Sequence, residues 1–433
     1  MPFGQPKRDT RGAYMRYFVG IDVSKEFHVV NVIDEEEKRV LKNFKFLNSK
    51  SGFDAFKLKL LTLSKDKDSF VLGLEATGVY GENLYDFLSS NGYNTKLLNP
   101  FQTSRYRQNY TMKSVKNDNI DSLYIALLLK DDRFSSGYVA SDEYMALRVL
   151  YRNRNSCLKE SKEIQKRVLS ILTVTFPEFE KFINPFSVSG LALLKKYPTA
   201  AHYKGVSANS ILKLFRHIKG NNFSYDKATK LLELANSSVY SGKAKEQRAI
   251  ALNSLIRLYE KYQEEIATLD KEIDSLLNSD SLSSDDKTAI KEAKQRAESI
   301  IKNLHTIPGV STKTISAILG ECGDLSRFPT ISKLLGFIGL HPTQDSSGKK
   351  EAFGHLSKRG NSTVKHALYL ASVSSIRHNS ELRKLYNDKR AAGKSKKEAL
   401  IIVSRKLITI IYAIFKNNEP YNPSRVFAMV RQW

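Results

Sequence analysis

Cysteine and long apolar runs are scarce in this chain, and each shortage excludes a class of protein. Only Cys157 and Cys322 occur among the 433 residues, which excludes a disulfide-built fold and a zinc site made mainly of cysteine. The longest apolar stretch, 399–415, contains Arg405 and Lys406, so it predicts an amphipathic or buried helix rather than a membrane span. The opening MPFGQPKRDTRG is basic and has no apolar signal core, which argues against secretion. We therefore expect a cytoplasmic protein with no membrane partner.

Acidic residues are also in deficit. The chain has 69 Lys and Arg residues against 45 Asp and Glu residues, which gives a formal net charge of +24. Solubility alone does not require such an excess, whereas binding to a phosphate backbone benefits from it because each neutralised phosphate releases counterions. A membrane surface is the other anionic candidate, but the sequence carries no lipidation signal. A nucleic acid is therefore the expected partner.

The first part of the chain alternates strand-like and helix-like patterns. The runs RYFVGIDVS, FHVVNVI and RVLKNFKF are rich in β-branched and aromatic residues, which favours three strands. Helical spacing follows over 51–63, then the strand-like FVLGLEA, a helix over 82–90, the strand-like YNTKLLN and a last helix. The order βββαβαβα is that of a ribonuclease H-like fold, in which the first strand is central. We predict this α/β domain over 16–135, after a basic tail at 1–15.

Beyond residue 136 the pattern becomes helical, and it includes one long heptad seam. Apolar residues recur every three or four positions with charged flanks, which is typical of an α-helical coiled coil. The seam consists of Leu252, Leu255, Tyr259, Tyr262, Ile266, Leu269, Ile273 and Leu276. The alternative is a single helix packed on its own domain. We assign 136–300 to this central helical and coiled-coil region, with a loop at 278–287.

The last region, 301–421 with a tail at 422–433, is predicted to be mostly α-helical. Its start, HTIPGVSTKTISAILGECGD, has the form of a helix-hairpin-helix element. Gly309 allows a tight turn, and the backbone N–H groups that follow could hold a phosphate. An ordinary helix start after Pro308 is the alternative. Two apolar helices then flank a loop rich in Gly, Ser and Lys, which contains DSSGKKEAFG.

Four acidic residues, the acidic quartet, carry the strongest indication of chemistry: Asp22, Glu75, Asp118 and Asp121. The first two end the strand-like YFVGID and FVLGLE, and the last two lie three apart in a helical pattern, so they share a helix face. Taken singly, each would more often be a turn former or helix cap. Together they can direct oxygen ligands at one point, which suits Mg²⁺ or Mn²⁺. Two such ions about 4 Å apart support in-line attack at a phosphodiester, and Asp22 on the central strand would bridge them.

Basic residues near these patterns are the candidate nucleic-acid contacts. The segment FQTSRYRQNYTMKSVKND leads into the acidic helix, and its cations could hold phosphates beside the metal ions while its tyrosines stack on bases. A solvated surface loop is the alternative. The predicted contacts are Arg105, Arg107, Lys113, Lys116, Lys313, Lys349, Lys350, Lys358 and Arg359.

Ser347, in DSSGKKEAFG, is the candidate nucleophile. A serine beside glycine in a basic loop can present its hydroxyl to a phosphorus atom, although such strings are mostly solvated loops. The hydroxyl needs activation at neutral pH, and a nearby metal ion is the means that the sequence offers. The sequence contains no Walker P-loop and no G-x-S-x-G elbow after a strand, which argues against a nucleotide hydrolase and a serine hydrolase.

These segments together resemble one known family. VGIDVSKEFHVV, LEATGVYGENLYDFL and KNDNIDSLYIALLL resemble the three amino-terminal blocks of the DEDD transposases of insertion-sequence family 110. IPGVSTKTISAILGE, LLGFIGLHPTQDSSGKKEAFG and SKRGNSTVKHALYLAS resemble their carboxy-terminal transposase domain. The resemblance covers about 16–130 and 300–420.

The resemblance implies a RuvC-like domain in which the acidic quartet binds Mg²⁺ (or Mn²⁺). It also implies a serine nucleophile that becomes linked to DNA, and the family pattern P-x-x-x-x-S-G places it at Ser347, with Ser346 as the alternative. Family members are similar to recombinases guided by a structured non-coding bridge RNA, which pairs with target and donor DNA. They suggest a tetramer of two dimers, in which the metal domain of one subunit and the serine domain of another form a composite site.

The resemblance, together with the acidic quartet and the basic charge, implies an RNA-guided DNA transposase that joins strands through a covalent serine–DNA intermediate. We expect it in a prokaryotic cytoplasm, and at the nucleoid when acting. Two alternatives stay open. One is a metal-dependent endonuclease or junction resolvase that uses water as the nucleophile, and the other is a non-catalytic scaffold that binds nucleic acid.

Overall fold

The computed structural model describes residues 15–75, 79–110, 118–132, 134, 137–216, 218, 223–278, 288–347, 350–356 and 359–425. The chain divides into two compact units, Met1–Val139 and Ala140–Trp433. The finer boundaries at 300 and 421 stay predictions. The tail at 1–14 and all but the first residue of the loop at 278–287 lie outside the described residues.

The first unit is an α/β domain whose elements follow the predicted order. Its strands are β1 (Tyr17–Val23), β2 (Phe27–Ile33), β3 (Arg39–Leu47), β4 (Phe70–Glu75) and β5 (Asn94–Leu98). Its helices are α1 (Lys50–Leu61), α2 (Glu82–Ser90), α3 (Pro100–Tyr110) and α4 (Asp118–Lys130). Helix α3 takes up the first half of the basic and aromatic segment, so this half is not a loop.

A five-stranded sheet in the order β3-β2-β1-β4-β5 forms the centre of the first unit. β1 pairs antiparallel with β2 and parallel with β4, and β4 pairs parallel with β5. The prediction that the first strand is central is confirmed. This position explains the continuous apolar YFVGI, because a central strand is covered on both faces. The mixed sheet with its helices agrees with the ribonuclease H-like prediction.

Helix α4 lies directly on one face of the sheet because Gly20 leaves room for it. A Cβ atom at Gly20 would lie 1.9 Å from the carbonyl oxygen of Ser122 and 2.4 Å from the backbone nitrogen of Ala126. Asn31, the partner of Gly20 in the β1–β2 register, donates to the Ser122 hydroxyl at 2.7 Å. Close packing and a buried hydrogen bond therefore fix α4 on the central strands.

The second unit is mostly helical, as the sequence predicts. Its first helices are α5 (Asp142–Thr175), α6 (Phe179–Phe182), α7 (Val188–Lys196), α8 (Ala208–Phe215), α9 (Tyr225–Ser237) and α10 (Lys245–Asn278). They are followed by α11 (Thr288–His305), α12 (Thr312–Cys322), α13 (Ile331–Ile338), α14 (Ser362–His378), α15 (Ser380–Ala391) and α16 (Lys396–Asn417). Two strands, β6 (Pro342–Ser347) and β7 (Lys350–Leu356), lie between α13 and α14.

The long helices α5 and α10 pair antiparallel within the chain. The apolar seam of α10 is buried in the same hydrophobic clusters as α5, and Gln263 donates to Ser161 at 2.8 Å. The end of the predicted seam is wrong: Leu276 is 42% exposed, and Leu277 is buried in its place. An α-helix with 3.6 residues per turn drifts away from a strict seven-residue repeat. The seam thus packs inside one chain, and a coiled coil between subunits stays a prediction.

Asp270 of α10 joins three helices of this unit. Its carboxylate binds Arg154 of α5 and, at 3.1 Å, Lys313 of α12. Burial raises the pKa of Asp270, but hydrogen bonds from the two cations outweigh burial and hold the pKa below its ordinary value. A carboxylate whose pKa is lowered by folding stabilises the folded chain at pH values above its pKa in the unfolded chain, which is about 4. This stabilisation is lost as the pH falls below that value.

Asp270→Asn is therefore expected to lower the free energy of unfolding by about 1–2 kcal/mol at neutral pH, because it removes a charged acceptor from two donors. The difference from the wild type should shrink as the pH falls below about 4, because Asp270 of the unfolded chain then takes up a proton and the advantage of the lowered pKa in the folded chain is lost. Urea unfolding of both proteins across this pH range measures the effect. Glu272→Gln, at an exposed position of the same helix, is the control, and a difference that does not change with pH would contradict the charge-based explanation.

The apolar stretch 399–415 forms most of α16, which is a buried helix as predicted. Leu407 and Ile411 lie in the hydrophobic core of the second unit. Ser404 shares a 2.8 Å hydrogen bond with Ser372 of α14. Within the described residues, no helix has both the length and the apolarity that crossing a membrane requires.

A second prediction for this unit, the loop after α13, is also wrong. The sequence predicts a loop between two apolar helices after α13, but the chain forms an antiparallel hairpin of β6 and β7 there. Ser347 pairs with Lys350, so only two residues connect the strands, which is a common length for a hairpin turn. The composition of β6, PTQDSS, does not predict a strand because it contains few of the β-branched and aromatic residues that favour strands.

Candidate metal-binding site and serine hairpin

Asp22 and Glu75 lie side by side at the carboxyl ends of two adjacent parallel strands. The register of β1 and β4 pairs Ile21 with Leu74, so the two acids are the next residues along their strands. Neighbouring strands are about 4.8 Å apart, and both acids are partly buried. The pairing therefore brings two acidic residues together at one edge of the sheet.

Both acids are on the face of the sheet that α4 covers. Alternate residues of a strand share a face. Asp22 therefore shares its face with Gly20, which contacts α4. Glu75 shares its face with Val71, which packs in the cluster that contains Leu129 of α4. The two carboxylates are thus on the same side of the sheet as the acidic helix.

The N-terminal end of α4 lies toward the same edge. Lys130, at the other end of the helix, binds Glu37 at 2.7 Å, and Glu37 follows β2 at the edge where β1 begins. Helix α4 therefore starts toward the edge where β1 and β4 end. Its first turns contain Asp118 and Asp121, and the side chain of Asp118 lies outside the described part of the structure.

Asp121 forms an ion pair with Arg107 of α3. Arg107 Nη1 lies 2.7 Å from Asp121 Oδ1, and the two side chains are 25% and 22% exposed. A cation that the sequence assigns to nucleic-acid binding thus binds a carboxylate that it assigns to metal binding. Among the residues that the structure describes, no three His, Cys, Asp or Glu side chains are grouped to hold a metal ion.

The donors at this edge nevertheless suit a hard divalent cation. Asp22 and Glu75 supply carboxylate oxygens, the ligand type that Mg²⁺ and Mn²⁺ prefer. The strand register already places these two residues together. Asp121 can add a third carboxylate, but Arg107 competes with a metal ion for its Oδ1. The site is therefore compatible with a metal ion, with one of its expected ligands engaged by a competing cation.

The predicted nucleic-acid contacts are found in different settings. Arg105 is exposed on α3, and Arg359 is exposed just before α14. Lys313 is 41% exposed and binds Asp270 at 3.1 Å. Lys350 begins β7. Arg107 is half-buried and binds Asp121. The remaining four predicted contacts lie outside the described residues, namely Lys113, Lys116, Lys349 and Lys358.

Ser347 is the last residue of β6, next to the turn of the hairpin. Its backbone pairs with Lys350, and the alternative nucleophile, Ser346, pairs with Glu351. The side chains of both serines lie outside the described residues. The backbone places either serine at the end of the hairpin that is remote from α13 and α14.

Helices α11 and α12 and the turn at 306–311 have the predicted helix-hairpin-helix order. Gly309 adopts a φ of +88°, as a tight turn requires. The turn packs on α14, where a Cβ atom at Gly309 would lie 2.5 Å from Ser375 Cα. Ser311 caps α12 by accepting from the backbone nitrogen of Thr314 at 3.4 Å. Phosphate binding at this turn stays a prediction.

Glu321 of α12 is a buried acid that is not among the site residues predicted from the sequence. Its side chain is 2% exposed, and its carboxylate accepts two hydrogen bonds from Arg152 of α5, at 2.6 and 2.9 Å. Asn361 donates to the same carboxylate at 2.8 Å. Burial raises the pKa of Glu321, but the bonds from Arg152 and Asn361 outweigh burial, so the pKa lies below its ordinary value. A lone acid in the apolar ISAILGEC is the signal, because a buried charge needs partners.

Two models of known protein families match this chain, one in its first half and one in its second half. A transposase model for the DEDD domain of IS110 elements matches residues 19–177. A model for the transposase IS116/IS110/IS902 family matches residues 301–387. Together they cover more than half of the sequence. The first range contains the acidic quartet, and the second contains Ser347 and Glu321.

Individual proteins from insertion elements are also similar. The insertion element IS110 uncharacterized 43.6 kDa protein of Streptomyces coelicolor is 24% identical over 287 residues, 65% of this chain and 65% of that protein. The pilin gene-inverting protein of Moraxella bovis is 32% identical over 124 residues, 28% of this chain and 38% of that protein. The insertion element IS900 uncharacterized 42 kDa protein of Mycobacterium paratuberculosis is 23% identical over 417 residues, 95% of this chain and 98% of that protein. The chain matches less than two thirds of the length of the first two relatives. With a family match at each end, the chain belongs to the IS110 family of transposases.

Proposed function

We propose that this chain is a DNA transposase that cuts and rejoins strands by phosphoryl transfer. The observation that carries the proposal is the pair Asp22 and Glu75, which the β1–β4 register sets side by side on the face covered by the acidic helix. Membership of a transposase family supports the same chemistry. The formal charge of +24 suits DNA as the substrate.

Each part of the proposed site has a distinct task. The acidic quartet would hold Mg²⁺ or Mn²⁺ at the sheet edge, and the bound ions would neutralise charge at the reacting phosphate. Ser347 is the proposed nucleophile: its hydroxyl loses its proton to solvent, its Oγ bonds to phosphorus, and the bond to one DNA oxygen breaks. A DNA hydroxyl then attacks the same phosphorus, which joins two strands and restores the serine.

The proposed partners follow from the family resemblance. They are donor and target DNA as substrates, and a structured bridge RNA as the guide. A homodimer or tetramer would combine the metal domain of one subunit with the serine domain of another. The seam of α10 lends this assembly no support, because it is packed with α5 of the same chain.

The test of the proposed function is strand joining by the purified protein together with the RNA that co-purifies with it. Donor and target DNA are incubated in Mg²⁺, and junctions are amplified and sequenced. Chelation by EDTA should abolish the junctions, and sequencing of the RNA should give one structured species. DNA that is cut but never joined would indicate the water-using endonuclease. Binding without any cut would indicate the scaffold.

Arg107→Ala is expected to tighten the binding of divalent metal by about 2- to 5-fold. The variant removes the cation that competes for Asp121, and a partly exposed ion pair of this kind contributes up to about 1 kcal/mol. A Mn²⁺ titration, in which free Mn²⁺ is measured by electron paramagnetic resonance, gives the affinity without an activity assay. Arg105→Ala is the matched control, because it removes the same charge from an exposed position of the same helix. Equal shifts in the two variants would mean that overall charge, and not the ion pair, controls binding.

A further inference from the structure

The β6–β7 hairpin, which carries Ser347, meets the helical core where two segments of backbone come very close together. Gly339 follows α13 and Gly360 precedes α14, with φ angles of +82° and +98°. A Cβ atom at Gly339 would lie 1.9 Å from the carbonyl oxygen of Arg359. A Cβ atom at Gly360 would lie 2.3 Å from the carbonyl oxygen of Ile338. The base of the hairpin is therefore a contact of backbone on backbone that admits no side chain.

The carboxylate of Glu321 is tied to this base. It accepts from Asn361, the residue after Gly360, at 2.8 Å. Asn361 also caps α14, because its Oδ1 accepts from the backbone nitrogen of Val364 at 3.0 Å. On its other side Glu321 is held by two hydrogen bonds from Arg152 of α5. One buried carboxylate thus connects α5, α12 and the point where the hairpin returns to the core.

The bonds to Glu321 are better explained by geometry than by stability. The carboxylate is buried whereas the Arg152 side chain is 61% exposed, so the cost of removing the carboxylate from water offsets much of its attraction to a cation that solvent still screens. A carboxylate held by three hydrogen bonds, by contrast, fixes the positions of its donors. Here the donors are Arg152 of α5 and Asn361, the cap residue at the hairpin base.

The orientation of the base matters because a small rotation there becomes a large displacement at the far end of the hairpin. The six residues of β6 span about 20 Å at about 3.3 Å per residue. A rotation of about 3° at the base therefore moves the far end by about 1 Å, and a displacement of that size can cost about 100-fold in the rate of a reaction. Ser347 lies at that far end.

We propose that Glu321 is a positioning residue for the serine nucleophile, which it aims by fixing Asn361 at the base of the hairpin. This inference rests on the proposed role of Ser347. Glu321 takes no part in bond making. It reaches the reaction through Asn361, the Gly339–Gly360 contact and the two strands.

The test compares Glu321→Gln with the wild type in a single-turnover assay of the covalent protein–DNA adduct on a denaturing gel. Misplacement of Ser347 lowers the rate constant and leaves the amplitude unchanged, whereas partial unfolding lowers the amplitude. We expect a rate constant about 10- to 100-fold lower at unchanged amplitude. Ile411→Val, which removes one methylene group from the same hydrophobic core, is the control for stability. Glu272→Gln is the control for loss of one exposed negative charge.

Hydrogen–deuterium exchange tests the same inference without any reaction. In Glu321→Gln the backbone amides of β6 and β7 should exchange at least about 5-fold faster, while those of α10 keep the wild-type rate. Unchanged exchange in the hairpin, or a fall in amplitude at an unchanged rate constant, would overturn the positioning role. If the wild type forms no adduct, the proposed nucleophile is wrong, and exchange alone decides whether Glu321 fixes the hairpin.

Discussion

Asp22→Asn is expected to reduce DNA cleavage and strand joining by about 1,000-fold or more, while DNA affinity changes by less than about 2-fold. Asparagine keeps the size and one oxygen of aspartate but removes the charge that a divalent cation requires. Asp22 lies on the central strand beside Glu75, so its loss affects every ion held at that edge. A 1,000-fold loss corresponds to about 4 kcal/mol of transition-state stabilisation, which is within the range that bound metal ions supply. Junction formation in Mg²⁺ gives the rate, and a gel-shift assay gives the affinity.

Asp34→Asn is the matched control for this experiment. Asp34 is a buried aspartate at the opposite end of the same sheet, where its Oδ1 accepts from the backbone nitrogens of Glu36 and Lys38. Asparagine can accept the same two bonds, so this variant should fold and join strands at nearly the wild-type rate. If Asp22→Asn joined strands at the wild-type rate, the hypothesis that the acidic quartet binds catalytic metal ions would be wrong.

The sheet and its acidic edge could be predicted because their signals are local. YFVGID and FVLGLE each end an apolar strand with an acid. Parallel pairing with aligned registers turns this similarity along the chain into proximity in space. Gly20 is the further local signal, because a glycine inside an apolar strand indicates that another backbone approaches it closely. The backbone of α4 is what approaches it.

The remaining features depend on contacts between distant residues, which periodicity does not reveal. Arg107 and Asp121 are 14 residues apart and meet only because the basic segment folds into α3 against α4. Glu321 and Arg152 are 169 residues apart. Strand β6 has the polar sequence PTQDSS, and it is recognised as a strand by its backbone pairing with the distant residues of β7. Leu276 is exposed because a regular helix does not hold a seven-residue repeat on one side.

Ser347→Ala is expected to eliminate the covalent protein–DNA adduct and to reduce strand joining by about 1,000-fold or more. The substitution removes the one atom that bonds to phosphorus in the proposed reaction. The backbone pairing with Lys350 does not use the side chain, so the hairpin should persist. Denaturing gels with end-labelled DNA measure the adduct, and mass spectrometry of the digested adduct identifies the linked residue.

Ser346→Ala separates the two adjacent serines. Loss of the adduct in Ser346→Ala, with a normal adduct in Ser347→Ala, would transfer the nucleophile to Ser346. Nicking that survives in both variants but disappears in Asp22→Asn would mean that water attacks the phosphate. In that case the metal edge is sufficient for cleavage, and the hairpin contributes binding rather than chemistry.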